Sequence, residues 1–154
     1  MIYDKIKQDL TGHYTESRDN FGMLVLELPV GSILDAVGRL KNDFGFDLLL
    51  DVTAVDYPER EVRFELVYHL YSPKHKRRIR LKSAVAEDEQ QVPTLINLYG
   101  SARYLEREAH EMFGIRFTGN DDLRPILLYE GFVGHPLRKD YPIDQEQPLV
   151  DYRK

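Results

Sequence analysis

Residues 62–83 read VRFELVYHLYSPKHKRRIRLKS, and this stretch decides the fold. Its first half alternates apolar residues with more polar ones, and the apolar positions are Val62, Phe64, Leu66, Tyr68 and Leu70. After the turn SPKHK, a second alternating run sets Ile79, Leu81 and Ser83 against Arg78, Arg80 and Lys82. A period of two is typical of a half-buried β-strand. The stretch therefore predicts a long amphipathic hairpin with one buried face and one solvated, basic face.

The residues before the hairpin predict two more strands and two helices. The apolar runs at 23–28 (MLVLEL, ended by Pro29) and 48–55 predict strands. Residues 2–10 predict a short amphipathic helix that ends near Gly12, because Ile2, Ile6 and Leu10 are spaced four apart. A second helix begins after Ser32, its predicted N-cap, and ends at Gly45; its apolar face holds Ile33, Val37, Leu40 and Phe44.

The residues after the hairpin predict two helices and then an irregular segment. The polar run DEQQ at 88–91 breaks the sheet pattern, and residues 92–99 predict a short helix that Gly100 closes. Ser101 is the predicted N-cap of a helix that runs to Phe113 and ends at Gly114. Residues 115–154 hold four of the eight prolines and show little periodicity, which predicts an extended arm.

Together these elements predict an α+β fold. We expect a two-layer domain at residues 1–114, with a mixed sheet and helices on one face. The C-terminal arm, residues 115–154, lies over that domain and beyond it, so that the chain is a single domain overall.

Composition excludes several classes of function. The chain has no cysteine, which excludes disulfides, thiolate zinc sites and iron–sulfur ligation by this chain. The net charge is −5, whereas a nucleic-acid binder usually carries a basic excess, so we expect no nucleic-acid partner. The basic run KHKRRIRLK at 74–82 is interpreted as the solvent-facing side of a strand. The alternative is that it binds the acidic surface of a partner protein. No apolar stretch approaches the ~18–20 residues that span a bilayer, so we expect any membrane association to go through a partner.

The last predicted helix carries a cluster of charges: Glu106, Arg107, Glu108 and Glu111. Glu106 and Glu108 are expected to flank its buried stripe about 160° apart, which does not let them converge on one substrate. Arg107 and Glu111 have the i,i+4 spacing of an ion pair. The alternatives are solvated or structural charges, a partner interface, and catalysis.

His110 and His135 invite a metal interpretation, and Glu106 has i,i+4 spacing to His110. A metal site needs several convergent ligands, and the sequence has no HExxH motif, so a surface or interface histidine is the default. It also has no GxGxxG, P-loop or GxSxG motif.

The segment from Ser101 to Pro142 resembles the signature region of the 30-kDa subunit of NADH:quinone oxidoreductase (complex I), also called its C subunit. ERE at 106–108 followed by EMFGI at 111–115 matches one block of that region, and DLR at 122–124 with IL at 126–127 matches a second. Residues 131–132 (GF) and 134–142 (GHPLRKDYP) match its closing block almost letter for letter. The chain departs from the family pattern at Tyr104, His110, Asn120, Asp121 and Pro125.

The resemblance implies a non-catalytic interface subunit in the hydrophilic arm of the complex, at the cytoplasmic side of the inner membrane. Such a subunit binds no cofactor itself, since flavin and iron–sulfur clusters lie in partner subunits. It packs chiefly against the D subunit of the complex, near the quinone-reduction region. The residues expected at the partner interface are Glu106, Arg107, Glu108, Glu111, Arg124, His135, Arg138, Lys139 and Asp140.

The arm is expected to depend on a partner. Prolines after His135 and Tyr141 fix an extended path, and the charged strip between them has little apolar surface to bury. Two alternatives stay open. One is a homologous subunit of a membrane-bound [NiFe]-hydrogenase or related dehydrogenase, and the other is a stand-alone interaction domain.

Overall fold

The structure is a computed structural model that describes residues 1–87 and 91–148. Three α-helices are present in this part of the chain: α1 (Ile2–Asp9), α2 (Ile33–Asn42) and α3 (Ala102–Phe113). The strands are β1 (Glu16–Asn20), β2 (Met23–Glu27), β3 (Leu48–Asp56), β4 (Phe64–Ser72), β5 (Arg77–Val85), β6 (Val92–Pro93) and β7 (Phe117–Thr118). Most of the polar run at 88–91 and the last six residues of the arm lie outside the described residues.

The main sheet has five strands in the order β1-β2-β5-β4-β3. Strands β2 and β5 are parallel, while the other neighbours are antiparallel, so the sheet is mixed. The hairpin of β4 and β5 lies at its centre, with Tyr68 opposite Leu81. The predicted α+β fold with a mixed sheet is therefore confirmed.

The core fills the space between the helices and one face of the sheet. Alternate residues of the central strands are buried there, including Leu66, Tyr68 and Leu70 of β4 and Ile79 and Leu81 of β5. Helix α2 adds Ile33, Val37 and Leu40, which share one face of the helix. The opposite face of the sheet carries the polar and charged residues, as the alternation predicted.

The structure departs from the sequence predictions in three respects. Residues 92–99 do not form a helix, because Val92 and Thr94 donate their backbone N–H groups to Arg116 and Thr118 and so pair with β7. Strand β1 was not predicted, since its sequence ESRDN is polar throughout and mostly exposed. The predicted capping roles of Ser32 and Ser101 are also absent, since neither side chain bonds the start of its helix.

The chain beyond β7, through residue 148, forms no further helix or strand. The boundary after Gly114 stays a prediction, although Ile115 and Phe117 are buried in the core. No helix in the described ranges is long and apolar enough to cross a membrane.

Candidate partner interface

Helix α3 packs against β3 and presents its opposite side to the arm. The helix ends at Gly114, which adopts a left-handed conformation (φ 81°), as predicted. Its buried residues include two carboxylates as well as the apolar stripe: Ala102, Glu106, Ala109, Glu111, Met112 and Phe113. The two glutamates have different surroundings, and these decide what each can do.

Glu106 is fully buried and organises the backbone beneath α3. Its carboxylate accepts hydrogen bonds from Thr94 Oγ1 (2.6 Å), the Leu95 N–H (2.7 Å) and Asn120 Nδ2 (2.9 Å). Burial raises the pKa of Glu106, and these three donors oppose that rise. Burial and the nearby Glu106 also raise the pKa of Tyr68. The expectation that Glu106 lies beside the buried stripe is wrong, because it lies within it.

Glu111 holds the first part of the arm. Its carboxylate accepts hydrogen bonds from three consecutive backbone N–H groups, of Ile126 (3.0 Å), Leu127 (2.8 Å) and Leu128 (3.3 Å). A carboxylate that receives several backbone donors binds strongly, because charge-assisted hydrogen bonds are about twice as strong as neutral ones. Residues 126–128 are thereby fixed to α3 without any regular secondary structure.

Arg107, one turn before Glu111 on α3, binds the same part of the arm. Its Nε donates to the Arg124 carbonyl (2.8 Å), and a terminal nitrogen donates to the Pro125 carbonyl (2.7 Å). The predicted Arg107–Glu111 ion pair is absent, because each side chain binds the arm's backbone instead. Pro125, a departure from the family pattern, thus still supplies a carbonyl acceptor.

Arg124 and Glu108 point to solvent. Arg124 forms two bonds with Asp122 (2.7 and 3.0 Å), while its side chain remains 80% exposed. This arginine lowers the pKa of Asp122 to about 2. Glu108 is exposed on α3. Both residues are available to a partner protein.

Gly114 is the point where the closing block of the arm meets α3. A Cβ atom at this position would lie 2.5 Å from a terminal nitrogen of Arg138 and 2.6 Å from Nε2 of His135. His135 also contacts the Glu111 carbonyl through Nδ1 (2.9 Å). Glycine is therefore required here twice, for its positive φ and for the close approach of the arm.

Two of the three charged residues of the closing block, Arg138 and Asp140, form ion pairs within the chain. Arg138 donates to the Phe113 carbonyl (2.7 Å) and pairs with Glu87 (2.8 Å), with its guanidinium 5.1 Å from the Phe64 ring centre. The expectation that this strip needs a partner for its charges is therefore wrong for Arg138. Two further residues of the strip bind near the sheet: the Lys139 N–H binds Asp56 of β3, and Asp140 binds Arg63, which precedes β4.

Asp56, at the end of β3, is the centre of that second contact. It accepts the Lys139 N–H (2.7 Å) and two bonds from Arg63 (2.7 and 2.9 Å), and Arg63 also pairs with Asp140 (2.9 Å). Hydrogen bonds from Arg63 hold the pKa of Asp56 below its usual range. We call Asp56, Arg63, Glu87, Arg138, Asp140 and the backbone N–H of Lys139 the clamp.

The two histidines lie near each other, with ring centres 6.5 Å apart. His110 Nδ1 contacts the Ile115 carbonyl (2.7 Å), and burial is the main cause that lowers the pKa of His135. Among the described residues no group of three or more histidine or acidic side chains is arranged to hold a metal ion. Both rings bind backbone carbonyls around the end of α3.

The arm exposes several large apolar side chains among its charged residues. Five large hydrophobic side chains are exposed within 18 residues: Ile126 (39%), Leu127 (63%), Val133 (69%), Leu137 (52%) and Ile143 (104%). Large apolar side chains left exposed on one segment are candidates for a protein–protein contact site. Sequence reasoning missed them, although the letters IL, V, L and I stand between the charges of the signature blocks.

Comparison with known proteins identifies the family. A model described as respiratory-chain NADH dehydrogenase, 30 Kd subunit, matches residues 26–147. The C subunit of NADH-quinone oxidoreductase from Rhodopseudomonas palustris (strain TIE-1) is 45% identical over 152 residues, covering 92% of this chain and 72% of that protein. The protein of the same name from Phenylobacterium zucineum (strain HLK1) is 48% identical over 123 residues, covering 80% of this chain and 58% of that protein.

Two solved structures share the fold. The trypsin-resistant fragment of Nqo5 has a TM-score of 0.72 and 31% identity, and the match covers 80% of this chain and all of that one. A chain of the membrane-bound sulfane sulfur reductase, an archaeal respiratory membrane complex, has a TM-score of 0.79 and 27% identity, covering 99% of this chain and 97% of that one. On these matches and on the signature blocks in its sequence, this chain belongs to the family of the 30-kDa subunit of respiratory-chain NADH dehydrogenase, which is the C subunit of complex I.

Proposed function

We propose that this chain is the C subunit of a proton-pumping NADH:quinone oxidoreductase, in which it has a structural, interface-forming role. The curated relatives that carry this name support the assignment. In this proposal the chain binds no flavin or iron–sulfur cluster and supplies no catalytic residue. It lies in the hydrophilic arm, at the cytoplasmic side of the membrane, and is held there by its partner subunits.

The arm is the proposed contact with the D subunit, near the quinone-reduction region. The observation that carries this proposal is the exposure of five large apolar side chains on a segment that the chain itself holds in place. The bonds from Glu111 and the clamp fix the arm's backbone, so little ordering entropy is lost when a partner binds. Arg124, two residues before Ile126, and Glu108 on α3 are exposed charges that a partner could also contact.

A charge placed in the apolar surface tests this contact. We expect Leu137→Asp to leave the chain folded and to weaken its binding to the D subunit about tenfold or more, because an unpaired carboxylate is then buried at the interface. Leu34→Asp is the matched control, since Leu34 is a similarly exposed leucine on α2. Equal binding of the two variants would show that the arm does not form this contact.

The identity of the whole complex is tested by purification in mild detergent. A tagged chain should copurify with a membrane complex that contains flavin and iron, while the chain alone should have no flavin or cluster absorbance. The similarity to a chain of the sulfane sulfur reductase favours a second candidate, a subunit of another respiratory or hydrogenase-type membrane complex. A nickel-containing complex without flavin would support that candidate, and purification without any redox partner would support a stand-alone interaction domain.

A further inference from the structure

The face of the sheet opposite the helices carries a basic site that the arm does not use. Strand β5 directs Arg78 and Arg80 to this face, since the alternate residues Ile79 and Leu81 are buried in the core. Together with His69, the two arginines line a cavity of about 140 Å³. Met23 and Leu50 form its apolar wall, and Leu50 is 43% exposed.

The charges of this site are not neutralised within the described part of the chain. Arg80 donates through Nε to His69 Nε2 (2.7 Å), so the histidine accepts this bond with a nitrogen that carries no proton. Neither Arg78 nor Arg80 forms an ion pair with any residue of 1–87 or 91–148. Asp51 lies beside His69 in the strand register, and it pairs with neither arginine.

The other half of the same face is different. There Lys82 pairs with Glu65, and Arg18 pairs with Glu27 (2.8 Å). Glu65 also lies 3.5 Å from Arg60. Positive charge in excess is thus confined to the cavity end of the face, next to exposed apolar side chains.

We propose that this cavity binds an aspartate or glutamate side chain of a second partner subunit, on the side of the chain opposite the arm. This proposal rests on the proposed membership of a multi-subunit complex. Two adjacent guanidinium groups offer paired N–H donors that match a carboxylate. Leu50 and Met23 would be covered by the partner and would exclude water from the ion pair.

The charge of the whole chain favours a protein partner over a membrane. The chain has a net charge of −5, so an anionic lipid surface repels it as a whole. This repulsion extends over about the Debye length, ~10 Å. A single acidic side chain that enters the cavity is attracted at much shorter range.

The first experiment measures assembly of the complex. Tagged wild-type chain, the double variant Arg78→Glu/Arg80→Glu and the control Lys74→Glu/Lys76→Glu are each expressed in cells that lack the native chain. The control changes the charge equally in the exposed turn of the same hairpin. We expect the double variant to lower the yield of copurified complex about tenfold or more, and the control to leave it within about twofold.

The comparison separates this proposal from the proposed function. If the wild-type chain copurifies with no redox complex, the proposed function fails. If the wild type and the double variant copurify equally well, only the basic site is overturned. Circular dichroism of each isolated chain should show a folded protein whose melting temperature falls by only a few degrees, because Arg78 is exposed and the half-buried Arg80 forms a single side-chain bond, to His69.

The second experiment identifies the occupant. A photo-crosslinking residue at Leu50 should attach to a peptide of a partner subunit that contains Asp or Glu, while one at Leu34 should not attach to that peptide. A crosslink to lipid, or binding of wild-type chain but not of the double variant to phosphatidylserine vesicles, would assign the site to a membrane and overturn the proposal. A crosslinked peptide without any acidic residue would overturn it as well.

Discussion

Replacing Glu106 by alanine should destabilise the chain itself and not only its assembly. The carboxylate is fully buried and accepts three hydrogen bonds, from Thr94, the Leu95 N–H and Asn120. Alanine leaves these donors without an acceptor in a site that water does not reach. The backbone N–H of Leu95 cannot turn away, whereas the two side chains can partly reorient.

The expected loss of stability follows from the number of buried hydrogen-bond donors that are left without an acceptor. A buried donor without an acceptor costs about 1–3 kcal/mol, so we expect a loss of about 3–5 kcal/mol for Glu106→Ala. For a domain of this length each kcal/mol lowers the melting temperature by about 2–4 °C. The expected decrease is therefore about 6–20 °C. This value is not the net contribution of the carboxylate, because burying its charge costs free energy that alanine does not incur.

Thermal unfolding of the isolated chain, followed by circular dichroism, measures this decrease. Glu108→Ala is the matched control on the same helix, and we expect it to shift the melting temperature by about 1–2 °C at most because Glu108 is exposed. If Glu106→Ala melts like its control while binding to partner subunits falls, Glu106 acts at the interface and the reasoning from burial is refuted.

The contribution of Glu106 to the free energy of unfolding should decrease as the pH rises. Burial raises the pKa of Glu106 in the folded chain above its unfolded value. The folded state therefore binds more protons than the unfolded state between these two pKa values, and the contribution of Glu106 to stability falls as the pH rises through that window. Glu106→Gln removes the titration, so the difference in unfolding free energy between wild type and this variant should change with pH above about 4.5. A constant difference would contradict a raised pKa.

Three further outcomes are expected. Glu111→Ala should expose residues 124–128, so that chymotrypsin cleaves after Leu127 or Leu128 several-fold faster while the circular dichroism spectrum stays unchanged; an unchanged cleavage rate would mean that Glu111 does not hold the arm. Truncation after Gly134 should leave a folded chain with a lower melting temperature, because the clamp is lost, and should abolish binding to the D subunit in a pull-down; full binding would exclude the arm as the interface. Asp56→Asn should remove stability that the wild type has above about pH 3.8 and loses as the pH falls through the lowered pKa of Asp56, so unfolding curves of the two proteins should converge in acid.

The sheet and its helices could be predicted because their signals are local. The alternation in residues 62–83 required no knowledge of distant residues, and Gly114 marked the end of α3 in the same way. Residues 92–99 show where local reasoning fails. Val92, Leu95 and Tyr99 have spacings that also suit a helix, but pairing of Val92 with Phe117 makes a strand there instead.

The burial of Glu106 could have been predicted from spacing. Residues 102, 106, 109 and 113 follow the i, i+4, i+7, i+11 pattern of one helix face, and three of them are apolar. Its charge argued against burial, and the donors that permit burial come from other segments. Neither Thr94 nor Asn120 carried any signal that it would meet α3.

The clamp could not be predicted, because its partners are remote in sequence. Lys139 and Asp56 are 83 residues apart, and Arg138 and Glu87 are 51 apart. A charged strip with few apolar residues gives no indication of which distant charges it meets. Sequence reasoning therefore assigned these charges to a partner protein.

The pairing of these charges changes which residues of the signature contact a partner. A charged side chain that already forms an ion pair within the chain must give up that pair before it can bind a partner. The free energy lost with the intrachain pair offsets most of the free energy gained from the new one. The apolar side chains of the arm carry no such cost, since burying Leu127 or Val133 only removes apolar surface from water. In the proposed interface, the charged residues of GHPLRKDYP thus fix the path of the arm, and we expect its exposed apolar residues to provide the free energy of binding. For this reason Leu137→Asp should weaken assembly directly, whereas Arg138→Ala should weaken it through a loosened arm.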